Sequence, residues 1–579
     1  MRLNPKDKGV AMIVNTGIGI KGGPEISRLR QACTFPRITQ ARTLRSILEN
    51  ARETEYGKEH HFGKILEAHS EKELYSLYRK YNKPAEYEDF RPYVERMMQG
   101  ESDILFPGRP LLYATTSGSS ASPKFVPISD LYLNGIYRKM SLIWMYSFMT
   151  CRSKVFAGKV FTVVGKQTEG EAPDGTVLGS VSSYTNRSTP KLVQDRYIIP
   201  SIVYTIDDYA TRNYVLMRLA IEQNVTLYVT PNPSTVVELQ NVVDKWLDEF
   251  ISDVGNGTLT DKVDIPAEVR DAVAPLLKPN HHRAFELRAL QSQYERVLPK
   301  HYWPDLQILC TWKCGNTSIY LKQMADFFPE DTCHLELGYF STECRAGLAI
   351  EEGIDSVLMP HMHFYEFKKE KDMDNPRAPF YCLHELKQGE RYCPFVTTFS
   401  GLYRYSMNDI IQVGSDFINT PRVHMVRKAN GIVSITGEKL YEEQFINAVD
   451  QAQESTKMKL RYYTGYVNLS KGCYDWYFEF ENGRVTQRKA NAFAAIVDEN
   501  LKKLNIEYES KRNSFRLKNP EVFLLQRDSF QKFKEFILNH NHRDASRFKP
   551  NVLAQNEEHH SVIHKLRQTR KHREKEKKD

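Results

Sequence analysis

A hydroxyl-rich loop follows an apolar stretch in the segment LLYATTSGSSASPKFVPIS. Six of the eight positions from Thr115 to Ser122 carry hydroxyl groups, and one is glycine. Small residues let backbone N–H groups approach a phosphate, hydroxyls add hydrogen-bond donors, and Lys124 adds a positive charge. The Walker pattern GxxxxGK(S/T) is absent, which disfavours kinases and ATPases of that class. The loop therefore predicts a phosphate cradle of another kind, with a solvated serine-rich turn as the alternative.

A second candidate lies in LELGYFSTEC, where Tyr339, Thr342 and Glu343 directly follow an apolar run. Folds of the α/β class place ligand-binding residues at the ends of strands. An aromatic face can stack on a purine, and a carboxylate can hold a phosphate-bound Mg²⁺. Taken singly, these residues are equally typical of a strand-end aromatic and a surface acid.

A third candidate is Asp409 in GLYRYSMNDIIQVG, at the end of a stretch rich in tyrosine and arginine. A carboxylate at that point could accept hydrogen bonds from both hydroxyls of a ribose. Ordinary turn chemistry is the alternative for an aspartate that follows an asparagine.

The elements that position these residues follow from periodicity. Residues 40–100 show apolar positions three and four apart, which predicts a helical preface. From Leu111 short apolar runs alternate with helical stretches, which favours an α/β domain. Residues 255–285 indicate a loop-and-helix insertion, and the strand-rich residues 380–413 complete the large domain.

After Arg427 the pattern is strand, helix, strand, strand, helix, strand and helix, over about 110 residues. This predicts three regions: a large domain over residues 1–425, a small mobile domain over 426–552, and a basic disordered tail over 553–579.

The N-terminal stretch contains a GxGxxG motif at Gly17, Gly19 and Gly22. A dinucleotide fingerprint needs a helix that opens at the third glycine and a second strand nearby. Pro24 crowds the helix start and no second strand follows, so a flexible N-terminal turn is the prediction.

The chain has 579 residues, with 80 Lys and Arg against 72 Asp and Glu. Residues 565–579 hold eight of these bases against three acids, so most of the basic excess lies in one terminal run, which gives no support to a nucleic-acid enzyme. Nine cysteines without a CxxC pair fit a reducing, cytoplasmic compartment. No apolar run is long enough to span a bilayer. We expect a monomer or weak oligomer with no nucleic-acid or membrane partner.

Together these segments resemble the adenylate-forming superfamily and, within it, the auxin-responsive acyl-acid-amido synthetases of the Gretchen Hagen family. The likeness extends over almost the whole chain and includes TLRSILENARETEYGKEHHF, NPSTVVELQ, VRKANGIVSITGEKL and ASRFKP. Bacterial-type members are the most similar, on the strength of NPST and TGEKL. The resemblance implies an α/β fold: a large N-terminal adenylate-forming domain of mixed sheets flanked by helices, plus a small α+β ferredoxin-like C-terminal domain.

The resemblance also implies roles for individual residues. The family's phosphate loop corresponds to Thr116, Ser117, Gly118, Ser119, Ser120 and Lys124. Its nucleotide-binding segment corresponds to Tyr339, Phe340, Ser341 and Thr342. Its interdomain hinge corresponds to Arg427 and Lys428. Tyr339 is the adenine-stacking aromatic, Glu343 the metal-associated acid and Asp409 the ribose ligand. Lys549 corresponds to the C-terminal lysine that stabilises the adenylation transition state, so the expected catalytic residues are Lys549, Glu343 and Lys124.

The implied reaction uses ATP and Mg²⁺ to convert a small carboxylic acid into acyl-AMP and pyrophosphate, and then transfers the acyl group to the amine of an amino acid. Three alternatives remain open. The acceptor could be coenzyme A; Ala121 could close the phosphate loop and leave a non-catalytic binding protein; or His361, His363 and Glu366 could form a hydrolytic metal site. Asn408 stands where the family has glycine and tolerates the same left-handed backbone.

Overall fold

A computed structural model describes residues 5–116, 124–164, 168–181, 191–314, 318–373, 375–429, 432–435, 438, 440–481, 485–513, 517–541 and 552–568. The chain forms two compact units that divide after Met425. No helix in these ranges is both long enough and apolar enough to cross a membrane.

The first unit begins with the predicted helical preface and continues as alternating helices and strands. Its helices are α1 Pro5–Thr34, α2 Pro36–Asn50, α3 Glu55–Glu59, α4 Phe62–Leu66, α5 Glu71–Tyr81, α6 Tyr87–Met98, α7 Arg138–Cys151, α8 Lys191–Gln194, α9 Tyr209–Ile221, α10 Pro233–Asn256, α11 Ala267–Val273, α12 His281–Gln293, α13 Pro299–Tyr302 and α14 Ser318–Gln323. Side-chain caps fix several starts: Thr54 accepts a hydrogen bond from the Gly57 N–H, and Ser70 accepts one from the Glu73 N–H. The segment Leu131–Tyr137 is wound as a π-helix and runs directly into α7.

The strands of the first unit form three sheets. They are β1 Leu112–Thr116, β2 Lys124–Ile128, β3 Lys159–Thr162, β4 Thr168–Glu171, β5 Val177–Gly179, β6 Val225–Val229, β7 Ile308–Thr311, β8 Cys333–Glu336, β9 Gly347–Leu348, β10 Ser356–Leu358, β11 Phe364–Lys369, β12 Tyr381–Cys382, β13 Arg391–Thr397, β14 Tyr405–Ser406, β15 Asp409–Phe417 and β16 Thr420–Lys428. One sheet has the order β2-β1-β5-β4, and a second is all parallel with the order β3-β6-β7-β8. The third has the order β12-β11-β13-β15-β16-β10-β9, with β14 paired to β13. The mixed sheets and flanking helices confirm the predicted α/β class.

The prediction of a flexible turn at the N-terminal glycines is wrong, because Gly17, Gly19 and Gly22 all lie within α1. Helix α1 packs along α7, and a Cβ atom built on Gly22 would lie 3.0 Å from the Leu142 carbonyl oxygen and 3.1 Å from the Tyr146 Cβ. The glycine lets the two helices approach closely. Tertiary packing therefore outweighs the low helix propensity of glycine.

The second unit is an α+β fold. Its strands are β17 Ile432–Val433, β18 Leu440–Tyr441, β19 Leu460–Asn468, β20 Cys473–Phe480, β21 Glu521–Leu524 and β22 Leu553–Ala554, and its helices are α15 Glu442–Thr456, α16 Gln487–Leu504, α17 Ile506–Asn513, α18 Ser529–Asn541 and α19 Glu557–Lys565. The main sheet has the order β21-β20-β19-β22, while β17 and β18 pair separately. The first predicted strand of this domain thus lies outside the main sheet.

The predicted disordered tail is wrong for residues 553–568. Strand β22 pairs in parallel with β19, and α19 places His560 2.9 Å from the buried Asp475 carboxylate. The Tyr477 hydroxyl and His564 Nδ1 lie 2.7 Å apart. The sequence prediction failed because these contacts are made with strands about 85 residues earlier in the chain.

Candidate functional site

Residues of three predicted segments lie at strand ends in the first unit. Lys124 opens β2, the segment Tyr339–Glu343 follows β8, and Asp409 opens β15. The chain leaves β8 through Gly338, which has a φ of +112° and whose added Cβ would lie 2.5 Å from the Gly347 carbonyl oxygen. Only glycine fits this turn, and it directs the following residues toward β15.

Tyr339 and Asp409 are in direct contact. The Tyr339 hydroxyl donates a hydrogen bond of 2.9 Å to Asp409 Oδ2, and the two residues are 6% and 2% exposed. Burial, and then the nearby Asp409 carboxylate, raise the pKa of Tyr339 well above its ordinary value, so the phenol keeps its proton and remains a donor. Asn408 precedes this aspartate with a φ of +52°, the left-handed backbone that the sequence suggested.

Glu343 lies on the same side of the first unit. Its Oε1 is 3.5 Å from the Tyr405 hydroxyl, at the long limit of a hydrogen bond. Burial, and then the charge of Glu343, raise the pKa of Tyr405. Burial raises the pKa of Cys344 as well, and the charges of Glu343 and Asp409 add to that effect. Both carboxylates therefore lie within electrostatic range of this buried thiol.

Lys124 lies beside Tyr87 at the start of β2. The Lys124 Nζ is 5.5 Å from the centre of the Tyr87 ring, a cation–π contact. The Tyr87 hydroxyl donates to the Phe125 carbonyl oxygen and accepts from the Phe125 N–H, at 3.1 and 2.7 Å. These contacts hold Tyr87 against β2, and the grouping of Lys124 with Glu343 and Asp409 stays a prediction.

The residues between Tyr339 and Glu343 form a tight turn. The Ser341 N–H donates to the Cys344 carbonyl oxygen at 3.1 Å, and the Cys344 N–H donates to Ser341 Oγ at 3.3 Å. Phe340, Ser341, Thr342 and Glu343 are all partly exposed. Their side chains are therefore accessible beside the buried Tyr339.

A buried arginine, which the sequence analysis did not single out, lies beside this turn. Arg345 is 3% exposed, and its guanidinium lies 5.1, 4.8 and 5.6 Å from the ring centres of Tyr137, Trp144 and Phe340. Its Nη1 donates to Ser141 Oγ at 3.1 Å, whereas its Nε has no hydrogen-bond partner in the described part of the chain. Burial lowers the pKa of Arg345.

No described carboxylate forms an ion pair with Arg345. A buried cation without a counter-charge is costly, and the three rings of this aromatic box offset part of that cost by cation–π attraction. The signal in the sequence was weak, because one arginine after Cys344 carries no pattern.

Several predicted site residues lie outside what the structure describes. These are Ser117, Gly118, Ser119, Ser120 and Lys549, together with the side chain of Thr116. The backbone of Thr116 ends β1 and faces Lys124 in the antiparallel register. In the second unit, the Arg427 guanidinium lies 4.1 Å from the centre of the Tyr441 ring and donates to the Lys428 carbonyl oxygen at 2.9 Å. The phosphate loop and the hinge therefore stay predictions.

The suggested hydrolytic metal site does not form. Glu366 is engaged by Arg404 and Arg79, at 2.6 and 2.7 Å, and His363 Nε2 contacts the Arg345 carbonyl oxygen at 3.1 Å. Among the described residues, groups with metal-ligand spacing occur elsewhere, as Cys151, Cys333 and Glu352 and as Asp475, His560 and His564.

Comparison with known families agrees with this geometry. Three family models match the chain in succession: the GH3 family N-terminal domain over residues 25–333, the central domain over 356–428 and the C-terminal domain over 443–558. The chain belongs to the GH3 family. The resemblance to the Gretchen Hagen family seen in the sequence is thereby confirmed.

GH3 proteins from plants are similar to the chain over most of its length. The jasmonoyl–L-amino acid synthetase JAR4 of Nicotiana attenuata is 24% identical, with 86% of this chain and 88% of that protein covered. The indole-3-acetic acid-amido synthetase GH3.15 of Arabidopsis thaliana is 24% identical, with 92% and 93% covered. The 4-substituted benzoates-glutamate ligase GH3.12 of the same plant is 26% identical, with 72% and 75% covered.

Solved structures show the same fold. The GH3.15 acyl acid amido synthetase in complex with 2,4-DB superposes with a TM-score of 0.82 at 21% identity, covering 95% of this chain and 96% of the other. A 2-hydroxyisobutyryl-CoA ligase superposes with a TM-score of 0.50 at 10% identity, covering 94% and 91%. The GH3 chain therefore has the adenylate-forming fold, as predicted.

Proposed function

We propose that this GH3 protein is an ATP-dependent acid–amino acid ligase that activates a small carboxylic acid as its acyl-adenylate. The observation that carries the proposal is the contact between two predicted segments at strand ends, where the Tyr339 hydroxyl is bonded to Asp409 at 2.9 Å. Membership of a family whose curated relatives join acids to amino acids supports the same reaction.

The chemistry follows from the poor reactivity of a free carboxylate. A carboxylate oxygen attacks the α-phosphorus of ATP, the bond to the β-phosphate oxygen breaks, and pyrophosphate leaves. The amine nitrogen of an amino acid then attacks the carbonyl carbon, loses a proton and displaces AMP. Adenylation removes the negative charge from the carboxyl group and makes AMP the leaving group.

In our proposal, different residues of this chain bind different parts of ATP. Asp409 accepts hydrogen bonds from the ribose, Tyr339 packs on the adenine, and Lys124 offsets negative charge on the phosphates. The loop from Thr116 to Ser120 cradles the phosphates, and Lys549 stabilises the transition state of adenylation. Arg427 and Lys428 form the hinge between the two half-reactions.

Glu343 fits a magnesium site. It is a partly exposed carboxylate, and the Tyr405 hydroxyl orients one of its oxygens. Mg²⁺ prefers oxygen ligands and is commonly held by one or two carboxylates together with substrate phosphates. When bound, it supplies positive charge where pyrophosphate departs.

The aromatic box around Arg345 is the proposed place for the acid substrate. Its guanidinium lacks a carboxylate partner among the described residues, and the rings of Tyr137, Trp144 and Phe340 offer apolar walls. A flat carboxylic acid satisfies both features. The nine free cysteines support a cytoplasmic location for the reaction.

The test is acid-dependent exchange of labelled pyrophosphate into ATP, followed by trials of amino acids and of coenzyme A as acceptors. We expect exchange with at least one acid of an aromatic, fatty or jasmonate-like panel, and an amide product with an amino acid. A thioester with coenzyme A and no amide would show the alternative ligase, while ATP binding without any exchange would show a non-catalytic protein.

The variant Glu343→Gln should lower exchange by about 100-fold or more, because charge stabilisation at the departing phosphate is lost. The exposed Glu67→Gln is the matched control and should leave exchange unchanged. Exchange retained in Glu343→Gln would remove the metal assignment.

A further inference from the structure

Two cysteines that are distant in the sequence lie against each other in the first unit. Cys151 ends α7 and Cys333 begins β8, and their sulfur atoms are 3.0 Å apart. A disulfide needs a separation of about 2.05 Å, so a shift of about 1 Å joins them. Both thiols are free, and neither belongs to a CxxC pair.

The surroundings make these two thiols unequal. Arg152 places Nη1 3.8 Å from the Cys151 sulfur, and its Nη2 pairs with Glu352 Oε1 at 3.1 Å. The hydrogen bond with Cys333, and after it the charge of Arg152, lower the pKa of Cys151 to about 7 against the opposing effect of burial. The same hydrogen bond, burial and Glu352 raise the pKa of Cys333. Because the Arg152 guanidinium lies beside it, Cys151 is the thiol of the pair that ionises at the lower pH.

Solvent exposure also distinguishes Cys151 from Cys333. Cys151 is partly exposed, whereas Cys333 is 2% exposed. The other seven cysteines all have pKa values raised chiefly by burial; they are Cys33, Cys310, Cys314, Cys344, Cys382, Cys393 and Cys473. Because the thiolate is the nucleophile, an oxidant in solution reacts first at Cys151.

We propose that Cys151 and Cys333 form a peroxide-reactive thiol pair that closes to a disulfide. The Cys151 thiolate attacks one oxygen of a hydroperoxide, the O–O bond breaks, and a sulfenic acid forms as water or an alcohol leaves. The Cys333 sulfur then attacks the Cys151 sulfur, the S–O bond breaks, and water leaves. The peroxide is reduced, the two thiols lose two hydrogen atoms, and a thiol reductant reverses the change.

The disulfide ties together two elements beside the proposed ligase site. It joins the end of α7 to the start of β8, and β8 leads directly into the segment that carries Tyr339 and Glu343. A crosslink across such a long loop restricts the unfolded chain, so the oxidised protein should melt at a higher temperature. The inference concerns thiol chemistry and does not depend on the proposed ligase activity.

The experiment treats the reduced full-length protein with a few equivalents of hydrogen peroxide and follows its intact mass without reductant. We expect a loss of about 2 Da that dithiothreitol reverses, and a crosslinked peptide pair that contains Cys151 and Cys333. In Cys333→Ser the sulfenic acid should persist on Cys151 as a gain of about 16 Da, trapped by dimedone. In Cys151→Ser the loss of mass should disappear, while Cys314→Ser should behave as the wild type.

A wild-type protein that gains oxygen atoms without a crosslinked peptide would overturn the inference, and so would a crosslink between other cysteines. Peptide mapping of the wild type decides this even where a serine variant folds poorly. Circular dichroism before treatment identifies such a variant.

Discussion

Arg345 is the residue on which the proposed acid-binding site depends most. A guanidinium buried among three aromatic rings, with a serine hydroxyl as its side-chain partner, has given up its hydration without gaining a counter-charge. Buried cations of this kind weaken a fold unless a ligand neutralises them. Removing the charge of Arg345 should therefore weaken binding of the acid without lowering the stability of the fold.

The variant Arg345→Met should raise the KM for the acid by roughly 10- to 100-fold, because a charge-assisted hydrogen bond is lost. The free energy of unfolding, measured with urea in the absence of substrate, should stay the same or rise. A lower free energy of unfolding with an unchanged KM would instead assign Arg345 to the architecture of the fold.

The buried His363 and the half-buried His361 contribute to the pH dependence of stability in the first unit. Burial lowers the pKa of His361 and of His363 from 6.5 to about 4, and Lys139 and Arg28 add to the effect at His361. The unfolded chain binds these protons at a higher pH than the folded chain does. Stability is therefore fully present above pH 6.5 and is lost as the pH falls toward 4, by up to roughly 3 kcal/mol for each histidine.

His361→Leu should flatten part of this pH dependence, since neither ring nitrogen of His361 has a hydrogen-bond partner in the described structure. Urea unfolding at pH values between 4 and 7.5 measures the slope. The exposed His282→Gln is the control and should follow the wild type. Equal slopes in all three proteins would contradict the assignment.

At the scale of elements, local patterns predicted some structures and missed others. The helical preface was predictable, because amphipathic spacing and caps such as Ser70 act within a few residues. Helix α1 was not predictable, because its glycines disfavour a helix locally and only packing against α7 stabilises it. The C-terminal strand and helix were missed for the same reason: their burial depends on β19 and β20.

Helix α1 offers a matched pair of substitutions. Gly22→Leu should lower the free energy of unfolding by about 1–3 kcal/mol, because the side chain must enter the contact with Leu142 and Tyr146. Gly17→Ala, with no atom within 4 Å of its added Cβ, should raise it by up to about 1 kcal/mol. Thermal and urea unfolding measure both, and a tolerated leucine at position 22 would contradict the close packing.

The C-terminal elements make a second prediction at this scale. Deletion of residues 553–579 removes His560 from Asp475 and His564 from Tyr477. It should cost the second unit about 1–3 kcal/mol, because the buried Asp475 keeps its bond from Asn468 but loses the one with His560. Deletion of residues 569–579 is the control and should leave the melting temperature unchanged. Equal melting temperatures for both deletions would support the original prediction that residues 553–579 form a disordered tail.

At the scale of the whole molecule, the sequence predicted the family and the fold class, and the predicted segments around Tyr339 and Asp409 are in contact. Strand-end positions were enough to select Tyr339, Glu343 and Asp409, because strand ends gather ligand residues in α/β folds. They were not enough to find Tyr405, Tyr87 or Arg345, whose roles depend on which side chains the sheets bring together. Burial is a property of the folded chain, and the spacing of residues in the sequence does not predict which side chains become buried together.

The π-helical stretch before α7 has a consequence for chain length. Tyr137, Ser141 and Trp144 are spaced four and three residues apart and all face Arg345. One residue fewer between Leu131 and Tyr137 would turn that face by about 100°, and the guanidinium would meet different side chains although none of the three had been replaced. The number of residues in this stretch thus determines which side chains surround Arg345, and a substitution scan would never sample it.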